Sequence, residues 1–310
     1  DLGPLYVMNN IPEFKSRIMK GDAALLEQKI IVGQPSWPTP IMVASMQSVV
    51  FHPSWGVPDG IKMKELLPRL QRASGGNNFF DQLFGGGSGG GSRVLQAYKL
   101  QPSLNGRPVD PDSINWNNVD IRRFSFVQPP GSENPLGKVK FLFPNRHDVY
   151  MHDTPQRNLF AQSFRALSHG CMRLDQPQRT AEVLLEQDKG WPAGQVDNMY
   201  DSSSATVTLD KKVPVYLTYF TVVADRDGNL QRFADIYGHD QRVSSALAGR
   251  PVRYEAPEAS DQMVSADGDA SDAPVAVQKK SNNRSARDNR KSHRTAGDIL
   301  ADSLSGLISN

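Results

Sequence analysis

The sequence predicts a mainly β fold of the α+β class, and three observations predict it. Short runs rich in β-branched and aromatic residues alternate with glycine- and proline-marked turns through the first 58 residues, and again from Ile121. Between these two stretches the pattern switches to helical spacing followed by a glycine/serine run. Past Pro251 the composition becomes too charged and polar to support a core. The arrangement this implies is a discontinuous β domain (1–58 and 119–250), an inserted helical and loop lid (59–118), and a disordered charged tail (251–310).

Taken in order, Leu5 to Met8 reads as a first strand. Phe14, Ile18 and Met19 belong to a second that turns at Lys20-Gly21-Asp22, and Leu25 to Val32 forms a third stopped by Gly33. Pro35, Pro38 and Pro40 enforce an extended connection to a strand over Val43 to Phe51. Ile61, Met63, Leu66, Leu67 and Leu70 then have helical spacing, with Pro68 expected to disturb the end of that helix. Residues 85–92 alternate Gly-Gly-Gly-Ser twice and read as a flexible tether, either a natural low-complexity loop or an engineered replacement. No Lys-Ser/Thr follows it, so it is not a phosphate-binding loop.

Strand character returns in Phe124-Ser125-Phe126 and over Val139 to Phe143. Pro177 to Gln187 is predicted helical, with proline near its start, Ala181, Leu184 and Leu185 on one side and Gly190 at its end. Val207 to Leu209 and Val213 to Val223 read as two strands, the second central. Asp225 to Gly228 reads as a hairpin turn leading into Leu230 through Tyr237. In the tail, residues 255–272 carry six acidic and no basic residues, and a basic block from Lys279 to Arg294 follows. Ile299 to Ile308 has the pattern of a short amphipathic helix capped at Thr295. A solvated tail is the plain reading of this charge pattern, and contact with an anionic polymer or membrane surface is the sharper one.

Several function classes fall away on composition. A net charge of +2 without a basic face does not favour nucleic acid. No apolar run approaches the roughly 18 residues needed to span a bilayer, and Asp1-Leu2-Gly3-Pro4 has neither the basic start nor the apolar core of a signal peptide. A single cysteine rules out an internal disulfide and a cysteine-based zinc cluster.

That cysteine, Cys171, is the chemical centre of the sequence. A lone cysteine is ordinarily a small buried hydrophobe. Here Ser168, His169 and Gly170 precede it and Arg173 follows, none of which an inert thiol needs. A thiol becomes a competent nucleophile when an imidazole takes its proton, and His152, where an apolar strand pattern ends in polar groups, is the candidate base. The pairing predicts a lowered Cys171 pKa. His169, two residues from the thiol, shapes the wall of the site. The backbone N–H groups of Gly170 and Cys171 are candidate donors to a tetrahedral oxyanion. Arg173 either binds a substrate carboxylate or makes a structural ion pair.

The run from His147-Asp148-Val149-Tyr150-Met151-His152-Asp153-Thr154-Pro155 to Ser168-His169-Gly170-Cys171-Met172-Arg173 resembles the active-site signature of the L,D-transpeptidases, the YkuD-type catalytic domain. Stretches such as Ile11 to Phe14, Pro38-Thr39-Pro40, Asn115-Trp116, Pro214 to Leu217 and Asp235 to Gly238 extend the likeness over about residues 5 to 240, to the large Gram-negative subgroup with an inserted lid. The resemblance implies a β-sandwich catalytic domain of the periplasm or cell envelope, with no metal and no cofactor. It implies that Cys171 forms a thioester with the third residue of a peptidoglycan tetrapeptide stem, releasing D-Ala, and that the side-chain amine of a second stem then attacks to give a 3-3 cross-link. In this scheme His152 is the base, often held by a backbone carbonyl. Gly170 and Cys171, with His169, form the oxyanion hole, and Tyr150, Ser168 and Arg173 line the donor site. Carbapenems are the implied inhibitors. Water or a protein amine as acceptor would give a carboxypeptidase or a protein-anchoring enzyme, and a non-catalytic wall-binding protein is the alternative outside enzymes.

Overall fold

Strands form where the sequence alternates. In the computed structural model, which describes residues 2–74, 90–202, 204–225 and 227–252, they are β1 (Leu5–Asn10), β2 (Lys15–Lys20), β3 (Ala23–Gly33), β4 (Met42–Phe51), β5 (Trp55–Gly56), β6 (Gln101–Leu104), β7 (Arg107–Pro108), β8 (Phe124–Gln128), β9 (Val139–Leu142), β10 (Met151–His152), β11 (Ala166–Ser168), β12 (Met172–Leu174), β13 (Ala205–Thr218), β14 (Val222–Ala224) and β15 (Leu230–Arg232). Most of the Gly/Ser tether, the charged tail and its expected terminal helix lie outside the described residues. The described residues divide into two units, one of residues 2–55 and 128–252, the other of residues 56–127.

In the first unit the expected two-layer sandwich is replaced by a closed ring. The strands follow the order β3-β12-β10-β9-β4-β13-β1-β2, and β2 pairs back onto β3, so eight strands close on themselves and β11 adds to β3 from outside the ring. Closure leaves these eight strands without a free edge. Each of them sends a side chain into one core: Val7, Ile18, Ile30, Met46, Phe141, Met151, Met172 and Val215 all belong to the same buried cluster. The pairing that joins the most distant parts of the chain is the parallel one of β1 with β13, Val7 opposite Val215.

The two strands expected after residue 205 are one, β13, with an irregularity against β4 between Thr208 and Val213. The gap between the two expected strands, residues 210–212, is a shift of register within one strand. The Asp188 carboxylate accepts the amides of Asp210 at 2.8 Å and Lys211 at 2.9 Å, satisfying the two donors that leave the ladder.

The helix predicted at Pro177 exists. In the second unit, two helical segments come first in chain order, α1 (Asp59–Ile61) and α2 (Leu67–Ser74), with α3 (Gly90–Ala97) after them, so the Pro177 helix is α4 (Pro177–Lys189). It ends on Gly190 at φ +67, the left-handed cap that glycine adopts without a Cβ penalty. Ala181, Leu184 and Leu185 pack into the core cluster. Gln28 of β3 ties the helix start to the ring, accepting from Gln176 N at 2.7 Å and donating to Thr180 Oγ1 at 2.7 Å. Two further helices, α5 (Ala193–Asp201) and α6 (His239–Leu247), were not evident in the sequence. The hairpin at Asp225–Gly228 forms between β14 and β15, but its second strand stops at Arg232.

In the second unit, α1 continues into α2 through a wide π-helical stretch, Lys62–Leu66. Pro68 was expected to disturb the end of the helix. The disturbance lies just before it, where the Leu67 amide bonds five residues back to Lys62 O and opens a turn wide enough for a residue lacking an N–H. The last three tether residues, Gly90, Gly91 and Ser92, belong to α3 and are not free linker. A Cβ on Gly90 would meet Ala73 O at 2.2 Å, and one on Gly91 would meet Pro111 O at 2.8 Å, so both glycines permit close backbone approach. The small sheet β5-β8-β6-β7 carries Phe124 and Phe126 against fully buried Trp116, whose indole donates to Pro111 O at 3.0 Å.

Candidate active site

Three neighbouring strands of the ring build the site by register. His152 of β10 stands opposite Lys140 of β9 and Arg173 of β12, while Met151 stands opposite Phe141 and Met172. Those three apolar residues are fully buried in the core. Because side chains alternate along a strand, Lys140, His152 and Arg173 share the other face, and two residues upstream Tyr150 and Cys171 join them. The Met172 amide donates to Tyr150 O at 3.0 Å and holds these two levels together.

The sequence from Ser168 to Cys171 makes a tight turn. Gly170 sits at φ +111, open to glycine and strained for other residues. The Ser168 hydroxyl donates to Cys171 O at 2.5 Å and accepts the Gly170 amide at 3.2 Å. The expected oxyanion donor at Gly170 is therefore already engaged within the turn, which leaves the Cys171 amide as the candidate. Ser168 is 2% exposed, and its hydroxyl shapes the turn from inside. From outside, Thr39 Oγ1 donates to Gly170 O at 2.7 Å. His169 meets Trp37 edge-on, ring centres 5.3 Å apart.

The thiol donates to Asp148 O, sulfur to oxygen 3.7 Å. Asp148 has a left-handed φ of +53, held by Asn145. The Asn145 side-chain amide donates to Phe143 O at 2.8 Å and Val149 O at 2.7 Å, and its Oδ1 accepts from the amides of His147 at 3.0 Å and Val149 at 3.4 Å. Tyr150 supplies both backbone and hydroxyl hydrogen bonds toward the sulfur. Lys140 Nζ lies 3.9 Å above the Tyr150 ring centre.

His152 is 4% exposed, and its Nδ1 lies 2.5 Å from Asp153 O. A carbonyl can only accept, so Nδ1 carries the proton and Nε2 is left with a lone pair. Burial lowers the His152 pKa to about 3, reinforced by the Arg173 and Lys140 charges and opposed by the bond to Asp153. Burial also pushes the Cys171 thiol up to about 11, against the Tyr150 hydrogen bonds and Lys140, which favour thiolate. The lowered thiol pKa expected from a Cys-His pair is thus reversed: desolvation outweighs the neighbouring donors and cation. The resting pair is a neutral thiol and a neutral imidazole. The rate of Cys171 alkylation by iodoacetamide should therefore still be climbing at pH 10, and a plateau below pH 9 would contradict this arrangement.

Arg173 is brought down to about 10 by burial, and its Nη1 donates to Gln156 Oε1 at 2.6 Å. Its Nε is buried without a hydrogen-bond partner among the described residues. Among the described residues Arg173 makes no ion pair, and the guanidinium keeps capacity for an anionic ligand. Lys140 is likewise lowered by burial. Lys140, Thr39 and Asn145 are the residues that sequence reasoning missed. Tyr150, whose pKa is raised by burial, lies beside the Cys171 thiol. Among the described residues no group of His, Cys, Asp and Glu is arranged to hold a metal, and no helix is long and apolar enough to cross a membrane.

A family model described as the L,D-transpeptidase catalytic domain, YkuD, matches residues 4–197. A Haemophilus influenzae protein named "Putative L,D-transpeptidase" is 30% identical over 238 residues, 76% of this chain and 45% of that protein. The chain therefore spans less than half the length of this relative. Among solved structures, an L,D-transpeptidase from Mycobacterium smegmatis aligns over 69% of this chain and 58% of its own at 11% identity and a TM-score of 0.29. L,D-transpeptidase 3 from Mycobacterium tuberculosis aligns over 69% and 61% at 11% identity and 0.30. Superpositions this loose carry no argument.

Proposed function

The chain belongs to the L,D-transpeptidase catalytic-domain family, and on that premise we propose that it forms peptidoglycan 3-3 cross-links through a thioester on Cys171. The observation that carries this reading is the 2.5 Å contact of His152 Nδ1 with Asp153 O, which fixes the tautomer and presents Nε2 as a base on the face that carries the thiol.

The chemistry follows from the neutral pair. A tetrapeptide stem places its terminal amide at Cys171, Sγ attacks the carbonyl of the third residue, and the thiol proton passes to His152 Nε2 as negative charge gathers on sulfur and then on the carbonyl oxygen. The Cys171 amide donates to that oxygen. Lys140 and Arg173, cations on the same strand face, favour the anionic intermediates and receive stem carboxylates. The C–N bond breaks, His152 returns its proton to the departing D-Ala amine, and the thioester remains. An incoming side-chain amine gives its proton to His152, bonds to the thioester carbon and releases the thiolate, which takes the proton back. The expected setting is the periplasmic cell envelope.

Incubation with purified tetrapeptide muropeptides and mass spectrometry tests this. A cross-linked dimer that has lost one D-Ala is expected. Tripeptide alone would make water the acceptor and the protein a carboxypeptidase. Attachment of a stem to an added protein amine would make it an anchoring enzyme. Unchanged muropeptides with an intact thiol would overturn all three and leave a wall-binding protein.

A further inference from the structure

The turn that carries Cys171 is gripped by a second, remote set of hydrogen bonds whose directions are all determined. The Gly33 amide can only donate, and it reaches Thr39 Oγ1 at 2.9 Å, so the Thr39 hydroxyl proton is free to go to Gly170 O at 2.7 Å. The Thr39 amide donates to the Tyr237 hydroxyl at 3.2 Å, and that hydroxyl donates its own proton to Gly33 O at 2.5 Å. Thr39 is 1% exposed. Tyr237 is held in turn by Tyr219, which stacks on it with ring centres 5.6 Å apart and whose hydroxyl accepts the Tyr237 amide at 2.7 Å while donating to Asp235 at 2.7 Å. Gly33 permits this closeness: a Cβ there would fall 2.1 Å from Trp37 O and 2.7 Å from Thr39 N.

The consequence lies in one peptide plane. The Gly170–Cys171 peptide is trans, so its carbonyl and its N–H point in opposite directions. Anchoring Gly170 O on Thr39 therefore turns the Cys171 amide away from Thr39. Glycine at Gly170 leaves that plane free to rotate unless something holds it, and the Gly170 amide is already given to Ser168. We propose that Thr39 and Tyr237 are positioning residues that aim the Cys171 amide as the oxyanion donor. The segment that bears Tyr237 lies past residue 197, where the match to the family domain ends, so the C-terminal strap around Tyr219 and Tyr237 becomes part of the catalytic apparatus. This rests on the acyl-transfer reading above.

The test compares two reactions of one thiol. Acylation by meropenem opens the β-lactam carbonyl through a tetrahedral oxyanion. Alkylation by iodoacetamide forms an S–C bond, breaks C–I at a saturated carbon and passes through no oxyanion. Thr39→Val is expected to lower the limiting acylation rate about tenfold to a hundredfold, somewhat less than outright loss of an oxyanion donor, with alkylation unchanged. Thr39→Ser should restore acylation. Tyr237→Phe should lower acylation about threefold to tenfold by loosening the network without removing its last bond, and it carries the test if Thr39→Val fails to fold. Unchanged acylation in both Thr39→Val and Tyr237→Phe overturns the inference, and so does equal slowing of both reactions, which would mark a general structural role. A wild-type chain that meropenem leaves unmodified overturns the acyl-transfer reading and, with no oxyanion to hold, this inference with it.

Discussion

Cys171→Ala is expected to abolish covalent capture: meropenem should add its mass to the wild-type chain and none to the variant, and cross-linked muropeptides should fall by about 10⁴-fold or more, the scale on which a nucleophile's loss is felt. Cys171 is the single cysteine of the chain, so no other thiol can take over. The turn holding it is secured by Ser168, Thr39 and the Met172 amide, none of which uses the thiol; the side chain takes with it the long contact to Asp148 O, at 3.7 Å, and the Tyr150 contacts to the sulfur. Alanine should therefore leave the fold and the binding of cell-wall sacculi in place. A variant that still acquires the meropenem mass would remove Cys171 from the mechanism.

His152→Gln should be the next most damaging change, lowering acylation at pH 7 by about 10²- to 10⁴-fold, the usual contribution of a positioned general base. Its signature is in the pH profile. With His152 brought down to about 3 and Cys171 raised to about 11, neither group changes charge across the neutral range. The wild-type rate should be nearly flat from about pH 5 to pH 9. Without the imidazole, the thiol can lose its proton only to solvent base, so the variant's rate should rise about tenfold per pH unit over the same interval and approach the wild type only in alkali. Measuring acylation rates at intervals from pH 5 to 10 decides the matter. Parallel profiles for the two proteins would mean that another group, with Lys140 foremost, takes the thiol proton.

The part of the site that was legible in the sequence is the part carried by local motif. Cys171 and His152 stood out because a glycine-flanked thiol and a histidine at the end of an apolar strand pattern are visible within a few residues. What the motif could not convey is the setting of the pair: His152 is buried and Cys171 half-buried against the core cluster. That loss of solvent favours a neutral thiol over the expected thiolate, since desolvation acts through the packing of the whole ring. Lys140 was invisible for a related reason: it enters the site only because β9 and β10 are in register, and in sequence it is one lysine between two apolar residues. Thr39 sat in a proline-rich connection whose only readable property was extension.

The fold shows the same division. Strand positions could be read from alternation, and the helix at Pro177 from its proline start and glycine end. Ring closure could not, because the alternation of β1 and β13 is the same whether they meet each other or end as free edges. The wide turn before Pro68 was expected as a disturbed helix end, and the register shift at Asp210 as a gap between two strands. In both, a missing or displaced amide is accommodated without ending the element, by a change of helical pitch in one and by the Asp188 carboxylate in the other.

The parallel pairing of β1 with β13 has a temporal meaning. A chain emerging from the ribosome presents His152 and Cys171 well before it presents Val215, the partner of Val7. Until then β1 is unpaired on one side and no ring exists. The contact that closes it spans some two hundred residues, among the most expensive kinds of encounter for a folding chain. The strands that carry His152 and Cys171 are thus complete in sequence before the ring that supports them can close.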